Sequence, residues 1–183
     1  PKQLIEELDV RLFIEMDESL RSYLRIKRDT EERGHLEEKV ISELKKRRAD
    51  SEKYIKPQAA RADVVFTFLP INVELFEQDH VIDSNIKLRT RIKNGIYYQE
   101  LVRILIGVCG LQVNIDSVDE RGEVVLEISG DVASEDVSLA INMLAPHAEE
   151  LLDFSTQFSD GINGIMQIIT VIEIDEALRR RRS

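Results

Sequence analysis

The residues of this sequence best suited to chemistry are arginines that lie on either side of a glycine corner. Arg25 and Arg28 share one helical face, and Arg33 comes directly before Gly34, which is a natural helix stop. Guanidinium groups that converge on one point suit phosphate oxygens, because each offers a planar pair of donors and a permanent charge. Asp29 is placed to orient Arg28 from behind. The segment predicts a mobile basic helix that closes over the phosphate of a substrate or nucleotide.

The same segment has a second interpretation that requires no ligand. A charged surface helix often carries ion pairs between residues four positions apart, such as Arg28 with Glu32. Charge spacing alone favours this surface-helix interpretation. Only further motifs can separate it from a phosphate-binding site.

Composition and charge limit the class of protein. The chain has 183 residues, of which 43% are hydrophobic, and its net charge is −10. This balance is typical of a globular protein and disfavours nucleic acid as a partner, since phosphates would be repelled. No stretch is apolar over the length of a bilayer span, so no membrane partner is expected. The single cysteine, Cys109, excludes an internal disulfide and is compatible with a cytoplasmic location.

The elements that must position the arginines form an α/β unit. Val10–Met16 alternates as a strand does, Asp17 is placed to cap a helix over 18–32, and a second helix follows Gly34. The nearly continuous apolar run 64–69 predicts an interior strand of a parallel sheet. Strand, helices and strand together make the crossover unit of a doubly wound fold.

The pattern changes after Pro70. Alternating residues over 86–92 predict a half-exposed strand at an edge, and two further alternating runs around a turn at 119–122 predict a hairpin. Helices are expected after Ser134 and over 162–172. We therefore expect a partial kinase-like α/β unit over 1–70 and a mixed, mainly antiparallel extension with helices over 71–183. The patterns leave open whether these are two domains or one extended sheet.

Several motifs together carry a resemblance to a known family. They follow one another along the first third of the chain as Arg28-Asp29-x-x-Glu32-Arg33-Gly34-His35, Arg47, Tyr54-Ile55-x-Pro57-Gln58, Ala62-Asp63-Val64-Val65 and Leu69-Pro70. In type, order and spacing this series resembles the lid region of phosphoribulokinases, which are P-loop kinases. Near the other end, a glycine-containing entry at 163–167 resembles that family's C-terminal helix more weakly.

The resemblance implies a function and a set of site residues. It implies an ATP- and magnesium-dependent kinase that phosphorylates a sugar phosphate, with ribulose 5-phosphate as the best match. Arg25, Arg28, Arg33 and Arg47 fall on positions that would bind the substrate phosphate, and supporting roles would fall to Asp29, His35 and Tyr54. The resembled family has a proline and an aromatic residue where this sequence has Ala49 and Ser51. This departure puts the sugar specificity in doubt more than the fold.

The elements that bind ATP are missing from the sequence. None of its 8 glycines is followed by the Lys-Ser/Thr of a phosphate-binding loop, so the chain contains no Walker A motif. In the resembled family that loop, the catalytic aspartate and the magnesium ligands precede the strand at Val10. We therefore expect a fragment of a longer kinase, with no catalytic residue of its own and no activity alone.

Two other functions remain open. A uridine-kinase-like protein would have a similar Arg-Asp-x-x-x-Arg-Gly lid, whereas the Tyr-Ile-x-Pro-Gln and Leu-Pro motifs favour phosphoribulokinase. The part after Pro70 could instead be a non-catalytic oligomerisation or regulatory module, with a homodimer as the expected assembly. The competing interpretation of its apolar helix is that the same residues form the domain core.

Overall fold

A five-stranded mixed sheet organises the chain. The computed structural model describes residues 8–72, 86–95, 97–147 and 156–182. The strands are β1 (Leu12–Met16), β2 (Val64–Pro70), β3 (Ile86–Ile92), β4 (Gln112–Val118) and β5 (Val124–Ser129). Their order is β1-β2-β3-β5-β4, with β1 and β2 parallel and every other pair antiparallel. The result is a mixed α/β architecture, as the sequence predicts, and it is consistent with a P-loop-kinase-like fold.

Five short helical segments lie between β1 and β2, and three further helices lie later among the described residues. Between β1 and β2 lie α1 (Glu18–Lys27), a π-helical turn (Arg28–Glu32), α2 (Glu37–Asp50), a second π-helical turn (Ser51–Ile55) and a 3₁₀ turn (Lys56–Arg61). The remaining helices are α3 (Tyr98–Gly107), α4 (Ser134–Leu144) and α5 (Gly161–Arg182). In the described part of the chain, no helix combines the length and apolar character that a bilayer crossing requires.

The hydrophobic core lies between one face of the sheet and helices α3, α4 and α5. Phe66, Leu88 and Leu126 come from three adjacent strands and are fully buried. On α5, Ile165 and Ile169 follow helical spacing and enter the same core. The apolar stripe of the terminal helix is therefore core packing within the chain.

The crossover between β1 and β2 begins at a helix cap. The carboxylate of Asp17 accepts hydrogen bonds from the backbone N–H of Ser19 at 2.9 Å and of Leu20 at 3.3 Å. These bonds satisfy donors that the first turn of a helix leaves unpaired. Leu20 is fully buried, and on α2 only Val40 is buried. The two helices thus fully bury few side chains: most residues of α1 are half-buried, and most of those of α2 are exposed.

Charged residues occupy the other face of the sheet. On β3, Lys87 pairs with Glu127 at 2.6 Å, Arg91 pairs with Glu123 at 2.8 Å, and Arg89 pairs with Asp116. The side chain of Arg91 also donates to the carbonyl of Ala59 at 2.7 Å, which ties the 3₁₀ turn to the sheet. The alternation over 86–92 was expected to mark an edge, but β3 lies between β2 and β5. That expectation is wrong because β3 is paired with a strand on both sides, and its polar side chains form ion pairs with acids on or next to β4 and β5.

The two edges of the sheet differ in character. At one edge, Leu12 and Ile14 of β1 are 41% and 58% exposed. At the other, β4 carries a bulge between Ile115 and Ser117, and its Asp116 is ion-paired with Arg89. Bulges and charges are features that discourage an edge strand from pairing with another chain. β4 has this protection, whereas the pairing of β1 with β2 is regular and its exposed side chains are apolar.

The sheet is continuous across Pro70. β2 and β3 are paired from Val64↔Ile92 to Pro70↔Ile86. The hairpin expected around 119–122 is present as β4 and β5, where the Asp119 carboxylate accepts from the N–H of Arg121 at 2.9 Å. The single helix expected over 18–32 is divided into α1 and a π-helical turn. The division into units 1–70 and 71–183 stays a prediction.

Helix α5 brings two carboxylates into the interior. Glu173 is 3% exposed and accepts a hydrogen bond from the hydroxyl of Tyr97. Asp175 is 1% exposed, accepts from the N–H of His147 at 2.7 Å and pairs with Arg179 at 3.1 Å. Burial raises the pKa of Glu173, although the bond from Tyr97 opposes that shift.

We expect Glu173→Gln to stabilise the fold at neutral pH. Because the pKa of Glu173 is raised, the folded state binds its proton more tightly than the unfolded state, and stability falls as pH rises through that pKa. A glutamine keeps an acceptor for Tyr97 without a buried charge, so the melting temperature at pH 7.5 should rise by roughly 2–4 °C. The gain should disappear at acid pH, where the glutamate is protonated in both states. Glu100→Gln, at an exposed surface pair, is the control, and an unchanged or lower melting temperature for Glu173→Gln would contradict the expectation.

Candidate functional site

A cleft of about 870 Å³ lies where β1 ends and the crossover helices begin. In open α/β sheets, ligands bind outside the carboxyl ends of the parallel strands, and Met16 at the end of β1 lines this cleft. Both helices of the crossover contribute side chains to its walls. The lining residues are Met16, Arg21, Leu24, Arg25, Lys27, Arg28, Asp29, Glu31, Glu32, Arg33, His35, Glu43 and Arg47.

Asp29 is the centre to which the arginines converge. Its Oδ1 accepts from Arg28 Nε at 3.0 Å and from Arg33 Nη1 at 3.2 Å, and Arg28 Nη2 lies 2.9 Å from the same oxygen. Its Oδ2 lies 3.5 Å from Nε of Arg25. The carboxylate is buried, whereas the side chains of Arg28 and Arg33 are about half-exposed. The geometry gathers three guanidinium groups and leaves two of them open to a ligand.

The protonation state of Asp29 follows from these contacts. Its burial would by itself raise the pKa, but the hydrogen bond and charge of Arg28, with help from Arg33 and Arg25, hold the pKa of this carboxyl below its usual range. Asp29 is therefore ionised at neutral pH. A permanent negative charge at this point reduces the repulsion among the arginines.

The backbone around Asp29 is wound more widely than an α-helix. The π-helical turn of Arg28–Glu32 ends where Gly34 adopts a left-handed conformation with φ of 67°. The N–H of His35 donates to the carbonyl of Asp29 at 2.9 Å, and Thr30 Oγ1 donates to the carbonyl of Ile26 at 2.8 Å. Single π-helical turns are frequent at functional sites, and this one sets the direction of Arg28 relative to Arg33.

Helix α2 forms the opposite wall of the cleft. Arg47 is exposed there, and within the described residues its guanidinium has no ion-pair partner within 4.0 Å. The next residue, Arg48, lies outside the cleft and pairs with Glu52 at 3.4 Å. Glu43 lies one turn before Arg47 and approaches Arg25 to 3.6 Å, which links α2 to α1.

The structure thus brings together six of the seven residues singled out from the sequence. Arg25, Arg28, Arg33 and Arg47 line one cleft with Asp29 and His35. Tyr54 is 60% exposed, lies outside the cleft and stacks beneath the ammonium of Lys53 at 5.0 Å. The ion pair of Arg28 is with Asp29, and no Arg28–Glu32 pair occurs among the described residues. Phosphate binding by these arginines stays a prediction.

Sequence reasoning assigned no site role to several cleft residues, among them Arg21, Lys27 and Glu43. Arg21 extends the helical row of Arg25 and Arg28, so its position follows from spacing that was visible in the sequence. Lys27 precedes Arg28 and was visible only as part of a basic run. Glu43 precedes Arg47 by four residues, a spacing that places both on one helical face.

The cleft does not have the chemistry of a magnesium site. Among the described residues, no group of three or more His, Cys, Asp or Glu side chains is placed to hold a metal ion. Asp29 is already bonded to guanidinium groups. Such a donor set suits the oxygens of an anion and not a divalent cation, because it presents N–H donors where a metal would need oxygen ligands.

We expect Asp29→Asn to loosen the segment over residues 25–35. Asparagine removes the charge that holds three arginines together, so hydrogen exchange across residues 25–35 should accelerate by about an order of magnitude. Since the pKa of Asp29 is lowered, the wild-type protection should persist below the usual pKa of an aspartate and be lost as pH falls through the lowered value. Asp50→Asn, at the exposed end of α2, removes the same charge outside the cleft. Equal exchange in wild type and Asp29→Asn would exclude this role.

Comparison with known proteins supports the resemblance over one part of the chain. Residues 2–74 match the model of the Phosphoribulokinase / Uridine kinase family. This match spans β1, the crossover helices and β2, and so includes every residue that lines the cleft. The matched part and the candidate site therefore coincide.

Individual relatives agree with the family match. The chain is 34% identical over 95 residues to the chloroplastic phosphoribulokinase of Spinacia oleracea, which covers 51% of this chain and 22% of the relative. It is 33% identical over 69 residues to the chloroplastic phosphoribulokinase of Chlamydomonas reinhardtii, a match that covers 38% of this chain and 18% of the relative. It is 35% identical over 65 residues to the phosphoribulokinase of Synechocystis sp., a match that covers 36% of this chain and 20% of the relative. The chain thus spans about a fifth of the length of the curated relatives that it matches. Residues 2–74, which build the cleft, are thus similar in sequence to the phosphoribulokinase / uridine kinase family.

Proposed function

We propose that this chain supplies the substrate-phosphate-binding lid of an ATP-dependent kinase that phosphorylates a sugar phosphate. The observation that carries the proposal is the convergence of Arg25, Arg28 and Arg33 on the buried Asp29, in a cleft that Arg47 also lines. Relatives of the matched segment carry the name phosphoribulokinase, which supports ribulose 5-phosphate as the acceptor. ATP and magnesium would be held by a Walker A segment, which this sequence does not contain.

In this proposal the arginines bind the phosphate that the substrate already carries. The side chains of Arg28 and Arg33 are about half-exposed while they contact Asp29, and Arg47 lines the same cleft from α2. A phosphate monoester held at several points can no longer tumble, so its distant hydroxyl is presented in a fixed direction for phosphoryl transfer. Asp29 contributes as a positioning residue, because it is buried and its carboxylate oxygens contact the arginines.

The lid must also open and close around the substrate. Helices α1 and α2 bury few side chains, and the ion pair between Arg25 and Glu43 that links them is partly exposed. Exposed pairs of this kind contribute little to stability, so separation of the two helices costs little. A weakly held lid admits the sugar phosphate and then excludes water from it.

We expect Arg28→Ala to raise the KM for ribulose 5-phosphate by roughly 10–100-fold in a kinase that contains this lid, because a charge-assisted bond to phosphate is lost. The KM for ATP should change little. The measurement is a coupled ADP-release assay on the complete kinase. Arg48→Ala is the matched control, since Arg48 pairs with Glu52 outside the cleft. An unchanged KM for the pentose phosphate in Arg28→Ala would refute the assignment of that residue.

The acceptor itself is tested by comparison with uridine. A uridine-kinase-like enzyme would turn over with uridine, which carries no phosphate for the arginines to bind. Turnover with ribulose 5-phosphate and not with uridine would support the proposal. Turnover with uridine alone would indicate a nucleoside kinase. Absence of turnover with both acceptors would leave only the sequence similarity to the family.

A non-catalytic assembly role is the alternative from another class. The apolar residues of α5 on which it was based, such as Ile165 and Ile169, are buried in the core of the chain. The exposed apolar side chains Leu12 and Ile14 on β1 are a further candidate surface. Sedimentation at micromolar concentration separates the possibilities, because a monomer would count against a self-assembly role and a dimer would favour it.

A further inference from the structure

One carboxylate in the cleft is not explained by the binding of a phosphate. Glu43 lines the cleft from α2, one turn before Arg47. Its Oε2 lies 3.6 Å from Nη2 of Arg25, which is an ion pair but longer than a hydrogen bond, and its side chain is 46% exposed. Glu43 therefore keeps its capacity to accept hydrogen bonds from a ligand.

The position of Glu43 distinguishes it from the other acids of the cleft. Asp29 is 6% exposed, and both of its oxygens already contact guanidinium groups. Glu31 and Glu32 belong to the same turn as Arg28. Glu43 alone among the described cleft acids belongs to the opposite helix and contacts an arginine across the cleft.

The charge of the cleft is matched to one phosphate group. The six Arg and Lys side chains and the four Asp and Glu side chains of the lining give a net charge of +2. A phosphate monoester carries a charge of about −1.5 to −2 at neutral pH, so one such group balances the cleft. A second phosphate would add negative charge beside a carboxylate that lies within reach of the first.

Glu43 also discriminates between ligands by whether they donate or only accept hydrogen bonds. A sugar hydroxyl donates a hydrogen bond, which a carboxylate accepts, whereas an ionised phosphate oxygen can only accept. A carboxylate next to a cluster of arginines therefore favours a ligand with a hydroxyl near its phosphate. It disfavours a ligand with a second phosphate in that place, because the two negative charges repel one another and an ionised phosphate has no hydrogen to donate to the carboxylate.

We propose that Glu43 is a specificity-determining residue, which accepts a hydrogen bond from a hydroxyl of the phosphorylated sugar and excludes ligands that place a second phosphate in the cleft. This inference rests on the proposed function, since it requires the arginines to hold the sugar's phosphate. It assigns the two helices of the lid different tasks. Helix α1 and its π-helical turn recognise the phosphate, and α2 adds recognition of the neighbouring hydroxyl.

The test compares two ligands on the 183-residue chain and three variants. Ribulose 5-phosphate and inorganic pyrophosphate are titrated by calorimetry, without metal, into wild type, Glu43→Gln, Glu52→Gln and Arg28→Ala. Glu43→Gln should weaken ribulose 5-phosphate by about tenfold through loss of a hydrogen bond to a charged acceptor. It should strengthen pyrophosphate by about three- to tenfold, because a nearby negative charge is removed. Glu52→Gln changes the net charge equally at a residue outside the cleft and should alter neither affinity.

Each outcome has a distinct meaning. Opposite shifts for the two ligands in Glu43→Gln, with Glu52→Gln unchanged, support the inference. If both ligands gain affinity in the same proportion, or if neither changes while Arg28→Ala still weakens ribulose 5-phosphate, the inference is overturned and the proposed function stands. If wild type binds neither ligand, both the inference and the proposed function are refuted.

Discussion

Three guanidinium groups on a helix with little burial would repel one another and point in different directions unless a negative charge lay among them. Asp29 provides that charge, at 2.9–3.5 Å from Arg25, Arg28 and Arg33. The carboxylate is buried while two of its partners stay open to solvent. The local backbone adjusts to this arrangement through a π-helical turn and a left-handed glycine. The shape of the cleft thus depends on one ionised side chain.

The cleft in turn depends on how β1 and β2 are joined. Arg11 precedes β1, and its side chain forms two hydrogen bonds, at 3.0 and 2.9 Å, with the carboxylate of Asp63 just before β2. The backbone N–H of Arg11 donates to the same carboxylate at 2.9 Å. Burial alone would raise the pKa of Asp63, but the bonds and charge of Arg11 hold that pKa below its usual range. The start of the parallel pair is fixed in this way, and the helices that line the cleft connect its two strands.

Periodic features of the fold could be predicted from sequence, and features that arise from pairing could not. The run from Val64 onward and the hairpin around Asp119 have local signatures, so both were recognised. The alternation over 86–92 was recognised as a strand, but its interior position depends on Glu123 and Glu127, which lie more than thirty residues away. Local periodicity carries no information about partners so far apart in the sequence, so these ion pairs could not be predicted.

The candidate site shows the same limit. The cations could be recognised from type and spacing, and the family motif strengthened that recognition. Sequence analysis placed Asp29 beside Arg28, and Arg25 and Arg33 each lie four residues from it, which is the spacing of helical ion pairs; the burial of Asp29 among the three arginines has no such local signature. The position of Glu43 depends on how α2 packs against α1. That packing could not be predicted from the sequence, because it buries few apolar side chains. Tyr54 belongs to the motif yet lies outside the cleft, since a motif records order along the chain and not proximity.

The two edge strands of the sheet differ in how readily each could pair with another strand. At β4 the bulge and the ion-paired Asp116 interrupt the regular row of backbone groups that another strand would need. At β1 that row is regular, and Leu12 and Ile14 stand exposed beside it. Extra strands would therefore be accommodated beside β1 and resisted beside β4. As a building unit the sheet is asymmetric, able to be lengthened from one side and terminated at the other.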